Sequence, residues 1–361
     1  MAPRGRVVVA MSGGVDSSVA AAMLKEQGYD VIGIMLRLWS EPGKEGSNRC
    51  CTPDAMALAR RVAARLNIPF YSIDAQDIFH DTVVSYFING YNSGITPNPC
   101  LVCNRQIRFR FLLDRALALG ADFLATGHYA RIHQDEGQRI HLLRGRDRQK
   151  DQSYVLHVLT QEQLKHTLLP IGEYTKPQVR EIARRYNLPI AERPDSQDLC
   201  FLAGEDYRQF LLRNSPSASV PGLMVSSGGK VIGRHQGLAF YTIGQRKGLG
   251  ISSLIPMYVI KKDIRNNVLV VGTAEELGQG VFMTEKVNWV SGDLPVVKMR
   301  VQVKIRYKAQ DSWANVLPLN EDRAKISLDE PLRDITPGQA AVIYDDEECL
   351  GGGIISAESE P

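Results

Sequence analysis

An apolar run, Val7 to Val9, leads directly into AMSGGVDSSVAAAMLKEQG, residues 10–28, and this junction restricts the chain more than any other stretch. A buried strand that enters a glycine-serine turn and leaves it as an alanine-rich helix forms a strand-loop-helix unit. The helix amino terminus then aims N–H groups without intrahelical partners into the turn. Such a turn is a phosphate cradle. Gly13 and Gly14 allow positive φ and close approach of the backbone to an anion, while Ser12, Ser17 and Ser18 add hydroxyl donors. Asp16 is a short acid suited to orient a Mg²⁺ bound to phosphates. A cap for a core helix needs one such side chain, whereas this turn supplies four around two glycines.

The chain has neither G-x-x-x-x-G-K-[ST] nor G-x-G-x-x-G at this place, which excludes two other phosphate loops. SGGVDSS resembles the pyrophosphate-binding loop of the ATP pyrophosphatase superfamily. That resemblance implies cleavage of ATP between its α and β phosphates to adenylate a substrate.

Apolar runs continue as DVIGIMLRLW, FYSIDAQ and ADFLATGH, separated by segments with helical spacing. Strands alternating with helices predict an α/β fold with a doubly wound parallel sheet, whose ligands bind at the carboxyl ends of the strands. Beyond about Gly204 helical periodicity fades into short β-branched runs such as KVIGRH, PMYVIKK and NVLVVG. From about Val281 five strand-like runs follow one another between turns. The expected organisation is a catalytic phosphate-loop domain over 1–204, a small mixed domain over 205–278 and a β-barrel over 279–361. A chain of 361 residues with 44% hydrophobic content can bury cores of that number. No apolar run reaches the roughly 18 residues of a membrane span, and MAPRGRVVVAMSGG reads as lacking a signal-peptide core. A cytoplasmic setting is the expectation.

Charge is unevenly spread. Residues 100–185 hold 15 Lys and Arg against 9 Asp and Glu, whereas 336–361 hold 6 acids and no base. The basic window suits a folded polyanion, with a solvated helix face as the alternative.

TPNPCLVCNRQIRF is the second informative stretch. Pro97 and Pro99 predict an extended loop that presents Asn98 and Cys100, with a helix opening near Asn104 and Arg105. Cys103 at that helix start, near Arg105 and Arg108, meets the conditions that populate a thiolate. Cys200, in RPDSQDLCF, lies in a polar segment that no core strand would choose. Two thiols in exposed loops of an ATP-using chain suggest sulfur handling, in which one carries a persulfide and the other resolves it. Cys50 and Cys51 are adjacent in a separate loop and receive no role; Cys349 reads as structural.

SGGVDSS, TPNP-x-x-x-CN, ATGHYAR, KDQSY, SQDLCF and YTIGQRKGLG occur in this order and cover nearly the whole chain, which resembles the tRNA-specific 2-thiouridylase family. The resemblance implies ATP-dependent 2-thiolation of the wobble uridine in tRNA, with Cys103 as catalytic cysteine and Cys200 as persulfide carrier. It places ATP contacts on Ala10, Met11, Ser12, Gly13, Gly14, Val15, Asp16, Ser17, Met35 and Gly127. Target-base contacts fall on Asn98, Pro99 and Cys100, and tRNA contacts on Lys150, Asp151, Gln152, Arg306 and Tyr307. It further implies ATP and Mg²⁺ as cofactors, the anticodon stem-loop and a persulfide-donor protein as partners, and a monomer when unliganded. One position departs: many members carry aspartate where this chain has Cys100. Cys100, Cys103 and Cys200 thereby also resemble the three-cysteine [4Fe–4S] site of related tRNA thiolases, and the persulfide and cluster routes both stay open. Rival readings are a ligase or amidating synthetase acting on a small metabolite and a tRNA-binding chaperone with a vestigial nucleotide site.

Overall fold

The three valines of the opening run are divided between two cores, because β1 (Arg6–Ala10) is the middle strand of a sheet covered on both faces. Val7 and Val9 face α1 (Val15–Glu26), in a cluster with Val19, Ala22 and Val62. Val8 faces Phe109, Leu112 and Tyr154 on the other side. The computed structural model describes residues 4–44, 52–194, 199–202 and 204–357. Cys50, Cys51 and the acidic residues just before Leu199 lie outside them.

The chain continues through β2 (Asp30–Arg37), α2 (Pro53–Leu66), β3 (Phe70–Asp74) and, after further helices, β4 (Phe123–Ala125). These strands and Thr167–Leu168 form a five-stranded parallel sheet ordered β3, β2, β1, β4, Thr167–Leu168. Strand order reverses direction between β1 and β4, so a crevice opens at their carboxyl ends. The phosphate loop leaves β1 there. Gly127 follows β4 into the same crevice.

A four-stranded sheet with Gly222–Ser226 and Val268–Gly272 at its centre, paired in parallel, forms the middle of the chain. The last part is a closed barrel of six strands. Gln279–Trp289 pairs with both Arg323–Leu332 and Glu348–Ile355 and so shuts the ring. The sequence suggested five of these strands. The sixth, Glu348–Ile355, was hidden by Gly351, Gly352 and Gly353, which lower strand propensity.

The barrel shares a core with the parallel-sheet domain. The hairpin Ala130–Gln134 and Ile140–Arg144 pairs onto the barrel edge through Leu143 and Glu348. Tyr154 donates its hydroxyl to Ala340 O at 2.9 Å, and Asn288 Nδ2 donates to His157 O at 2.6 Å and Leu159 O at 3.0 Å. Part of the basic window is spent on this junction. Arg131 and Arg148 both pair with Glu347, His141 with Glu348, and Arg144 donates to Asp311 at 2.8 Å. The acidic end of the chain complements the basic segment within the molecule, which reduces the charge left for a polyanion.

Two buried histidines make the fold acid-sensitive. Burial, with the Arg108 cation second, pushes His128 down to about 3. Burial pushes His157 down to about 4 against its bond to Tyr154 O, with the charge of Arg105 adding to the fall. The unfolded chain takes these protons near pH 6.5 and the native chain does not, so stability is full above that pH and falls as pH drops through the window. Moving from pH 7 to pH 5 should cost about 2 kcal/mol per histidine. Urea midpoints at the two pH values check this, and a His128→Asn variant should show the smaller fall.

Candidate nucleotide and thiol site

The phosphate loop departs from an ordinary helix cap. Gly14 is the N-cap of α1 and no side chain caps the helix, so its first N–H groups open into the crevice. The serines instead stiffen the turn. Ser17 Oγ accepts from Ser12 N at 3.2 Å, and Ser18 Oγ donates to Gly14 O at 2.8 Å. Gly13 has φ +70°, and a Cβ there would stand 2.5 Å from Ala55 O, so glycine is required by both conformation and space. A Cβ on Gly127 would stand 2.6 Å from Ser17 N and 2.7 Å from the Asp16 carbonyl carbon. Gly127 therefore borders the helix start, which brings together Gly13, Asp16, Ser17 and Gly127 from two separate stretches. Ala10, Met11 and Val15 supply backbone and packing around the turn, with Met11 and Val15 buried. Met35 is wholly buried against Ala55 and Ala59 of α2.

Three residues of the cradle were not singled out in the sequence. Lys176 Nζ lies 2.8 and 2.9 Å from the two Asp16 carboxylate oxygens, and Tyr129 donates its hydroxyl to Asp16 Oδ1 at 2.7 Å. Arg193 donates to Gly13 O at 2.6 Å. Tyr129 stands within the quoted ATGHYAR run and Arg193 opens the quoted RPDSQDLCF run, whereas Lys176 carries no local signal beyond its charge.

The cysteine segment differs from the expected loop. Asn98 caps a helix by accepting from Cys100 N at 3.2 Å, and Pro99 occupies its first position. The helix runs from Pro99–Val102 through Cys103–Leu112, wound in the wider π register, to Leu113–Ala118. Cys100 is exposed on the first turn. Cys103 lies inside the helix and is buried, not in an exposed loop. A proline at the first helical position has no N–H to lose, which is why Pro99 starts the helix that it was expected to delay. Cys200 opens the short turn Cys200–Leu202 and is partly buried. Cys103 belongs to an apolar cluster with Phe79, Phe87, Phe201 and Phe210, and Cys200 packs against that same cluster. The fold thus brings both thiols to one core.

Among the described residues, no three or more His, Cys, Asp or Glu side chains are disposed to hold a metal ion.

The residues tied to tRNA in the sequence are drawn around the cysteine helix. Thr96 N donates to Pro337 O at 2.8 Å and Gln339 Nε2 donates to Thr96 O at 2.8 Å, while Thr242 of the YTIGQRKGLG run meets Thr96 Oγ1 at 3.4 Å. The TPNPC segment is held where all three parts of the chain meet. Tyr307 donates to Lys150 O at 3.4 Å, and burial raises its phenol to about 12, the charges of Asp151, Asp147 and Cys100 adding smaller upward pushes. Arg306 donates to Thr336 Oγ1 and lies 3.5 Å from Asp334. Asp151 is buried: it accepts from Gly145 N, Ser153 N and Ser153 Oγ at 2.9, 3.1 and 2.9 Å. Gln152 and Tyr129 exchange backbone and side-chain bonds at 2.8 and 3.0 Å. Asp151 and Gln152 thus set the shape of the loop that carries Lys150.

An uncapped helix start in a glycine turn can take a polyphosphate, and the two thiols share one apolar cluster. Residues 5–204 match the family model described as the tRNA methyl transferase HUP domain, 208–273 that of the tRNA methyl transferase PRC-barrel domain and 279–355 that of the aminomethyltransferase beta-barrel domain. The chain is 49% identical over 357 residues to a protein of Moorella thermoacetica named tRNA-specific 2-thiouridylase MnmA, covering 98% of this chain and 100% of that one. It is 47% identical over 356 residues to the protein of the same name from Carboxydothermus hydrogenoformans, covering 98% of each.

Proposed function

We propose a reaction from the premise that this chain belongs to the tRNA-specific 2-thiouridylase family: the ATP-dependent conversion of the wobble uridine of tRNA to 2-thiouridine. The observation that carries the reading is the placement of Cys103 and Cys200 on one core, in a chain whose phosphate loop ends in an uncapped helix. The uracil C2 oxygen attacks the α-phosphorus of ATP, the bond to the bridging oxygen breaks, and pyrophosphate is taken up by the N–H groups after Gly14 and by Ser12 and Ser17. The terminal sulfur of a Cys200 persulfide then attacks C2 and AMP leaves. Cys103 thiolate attacks Cys200 Sγ, breaking its bond to the sulfur now on the base. This leaves C2=S and a Cys103–Cys200 disulfide for an external thiol to reduce.

Asp16 is the carboxylate that would hold Mg²⁺ together with the phosphates; one carboxylate facing a phosphate cradle is the donor set that ion commonly takes. Its chemistry is to neutralise developing phosphate charge. Asn98, Pro99 and Cys100 would meet the flipped base, and Lys150, Arg306 and Tyr307 the RNA around it; the position of Asn98–Cys100 at the junction of the three parts supports this reading. Ala10, Met11, Val15, Met35 and Gly127 shape the nucleotide pocket through backbone and packing. A persulfide-carrying protein of the cytoplasm supplies the sulfur to a monomer. The described residues contain no helix long and apolar enough to cross a membrane.

Incubation of unmodified tRNA with the protein, ATP, Mg²⁺ and a sulfide source should yield 2-thiouridine and equimolar AMP by mass spectrometry. Binding of tRNA should weaken linearly in log–log form as salt rises, by a slope of about −0.7 to −0.9 per phosphate contact. Formation of an amidated or ligated small product, with salt-independent RNA binding, would replace this reading by that of a small-metabolite synthetase.

A further inference from the structure

Lys176 is placed where a cation is least welcome unless an anion joins it. Its ammonium lies beside the amino terminus of α1, the positive end of the helix, with its side chain only 11% exposed. The backbone beneath it is fixed: Lys176 N donates to Asp147 Oδ2 at 2.9 Å, and Thr175 and Gln178 form a capping box at the start of Lys176–Arg185. The stem above that anchor is four flexible methylenes. Both oxygens of Asp16 accept from the ammonium, and Tyr129 donates to one of them, so a carboxylate meets three sources of positive potential within the cradle.

We propose that Lys176 is a pyrophosphate-binding residue, and that in the empty cradle the Asp16 carboxylate stands in for the phosphate anion. When a polyphosphate enters, the ammonium passes from Asp16 to phosphate oxygen, and the carboxylate is released toward the metal. The exchange conserves a close ion pair on Lys176. It makes cradle occupation and exposure of the Asp16 carboxylate one event, and it gives departing pyrophosphate a fixed counter-charge beyond the backbone N–H groups. This rests on the reaction proposed above only for the identity of the leaving group.

The test uses the full chain and inorganic pyrophosphate as probe, in chelator and without Mg²⁺, by calorimetry. Lys176→Met should weaken pyrophosphate binding about 10- to 100-fold, the worth of one charge-assisted contact, while Lys176→Arg retains most of it. Asp16→Asn, which removes the competing anion, should tighten metal-free binding in the native background. The gain should be smaller in the Lys176→Met background, where only direct repulsion of the anion is relieved. A purely structural Lys176 would instead give equal gains from Asp16→Asn in the two backgrounds. Melting curves identify any variant that fails to fold, in which case the Lys176→Arg and Asp16→Asn pair decides. Native-level pyrophosphate binding by folded Lys176→Met overturns the proposal. A wild-type protein that binds pyrophosphate through Lys176 yet makes no thiouridine overturns the assigned reaction and leaves this inference standing.

Discussion

Cys103→Ala and Cys200→Ser should each lower thiouridine formation by on the order of 10³-fold or more, because each removes a sulfur atom that bonds or leaves during the reaction. Pyrophosphate release from ATP should continue in both variants, since the phosphate loop is built by the turn between β1 and α1 and neither thiol belongs to it. Cys100→Ser should behave differently. Cys100 is exposed on the first helical turn and Cys103 is buried one turn on, and among the described residues no three-ligand group unites them with Cys200. Its replacement should therefore leave thiolation within about tenfold of the native rate, as expected for a side chain that contacts substrate without bonding to it. Protein purified without oxygen should hold no iron. An inactive Cys100→Ser accompanied by loss of bound iron would instead establish the cluster route. Thiolated tRNA formed at the normal rate by Cys103→Ala would remove that residue from the chemistry.

Asp16→Ala should reduce adenylation about 10²- to 10³-fold, a typical loss for one preorganised electrostatic group, with tRNA affinity unchanged. The geometry adds a cost that the loop motif alone does not show. Removing the carboxylate leaves Lys176 beside the helix amino terminus without its bidentate partner and takes an acceptor from Tyr129, so stability should also fall by about 1–3 kcal/mol. Asp16→Asn keeps an oxygen for Tyr129 and should lose less stability while losing comparable activity. Rates of pyrophosphate release, together with urea midpoints, separate the two effects. Release at the native rate in Asp16→Ala would dissociate this loop from ATP chemistry.

The two variants probe features that became visible in different ways. The phosphate loop was legible because strand, turn and helix are consecutive, and a run of local preferences decides their geometry: valines for the strand, glycines for the turn, alanines for the helix. Asp16 and Ser17 could be named from that run alone. Their partners could not. Lys176 and Arg193 reach the cradle from distant segments, carried there by the packing of Lys176–Arg185 against α1, and no short-range pattern encodes such a meeting.

The cysteine segment shows the opposite balance. Its residues were recognisable, yet whether Pro99 would prolong a loop or begin a helix depended on Asn98 turning its carboxamide to cap Cys100. That choice put Cys103 in a core shared with Cys200. The basic window likewise was countable in the sequence, but pairing across the barrel junction consumed Arg131, Arg144 and Arg148. Features legible along the chain are therefore local: the phosphate loop, the alternation of strands and helices, the β character of the last third and the candidate thiols. Which charges remain for a ligand and which thiols share a core follow only from packing across the chain. Those outcomes depend on contacts between residues far apart in the chain, whose energies are settled only when the domains close on one another.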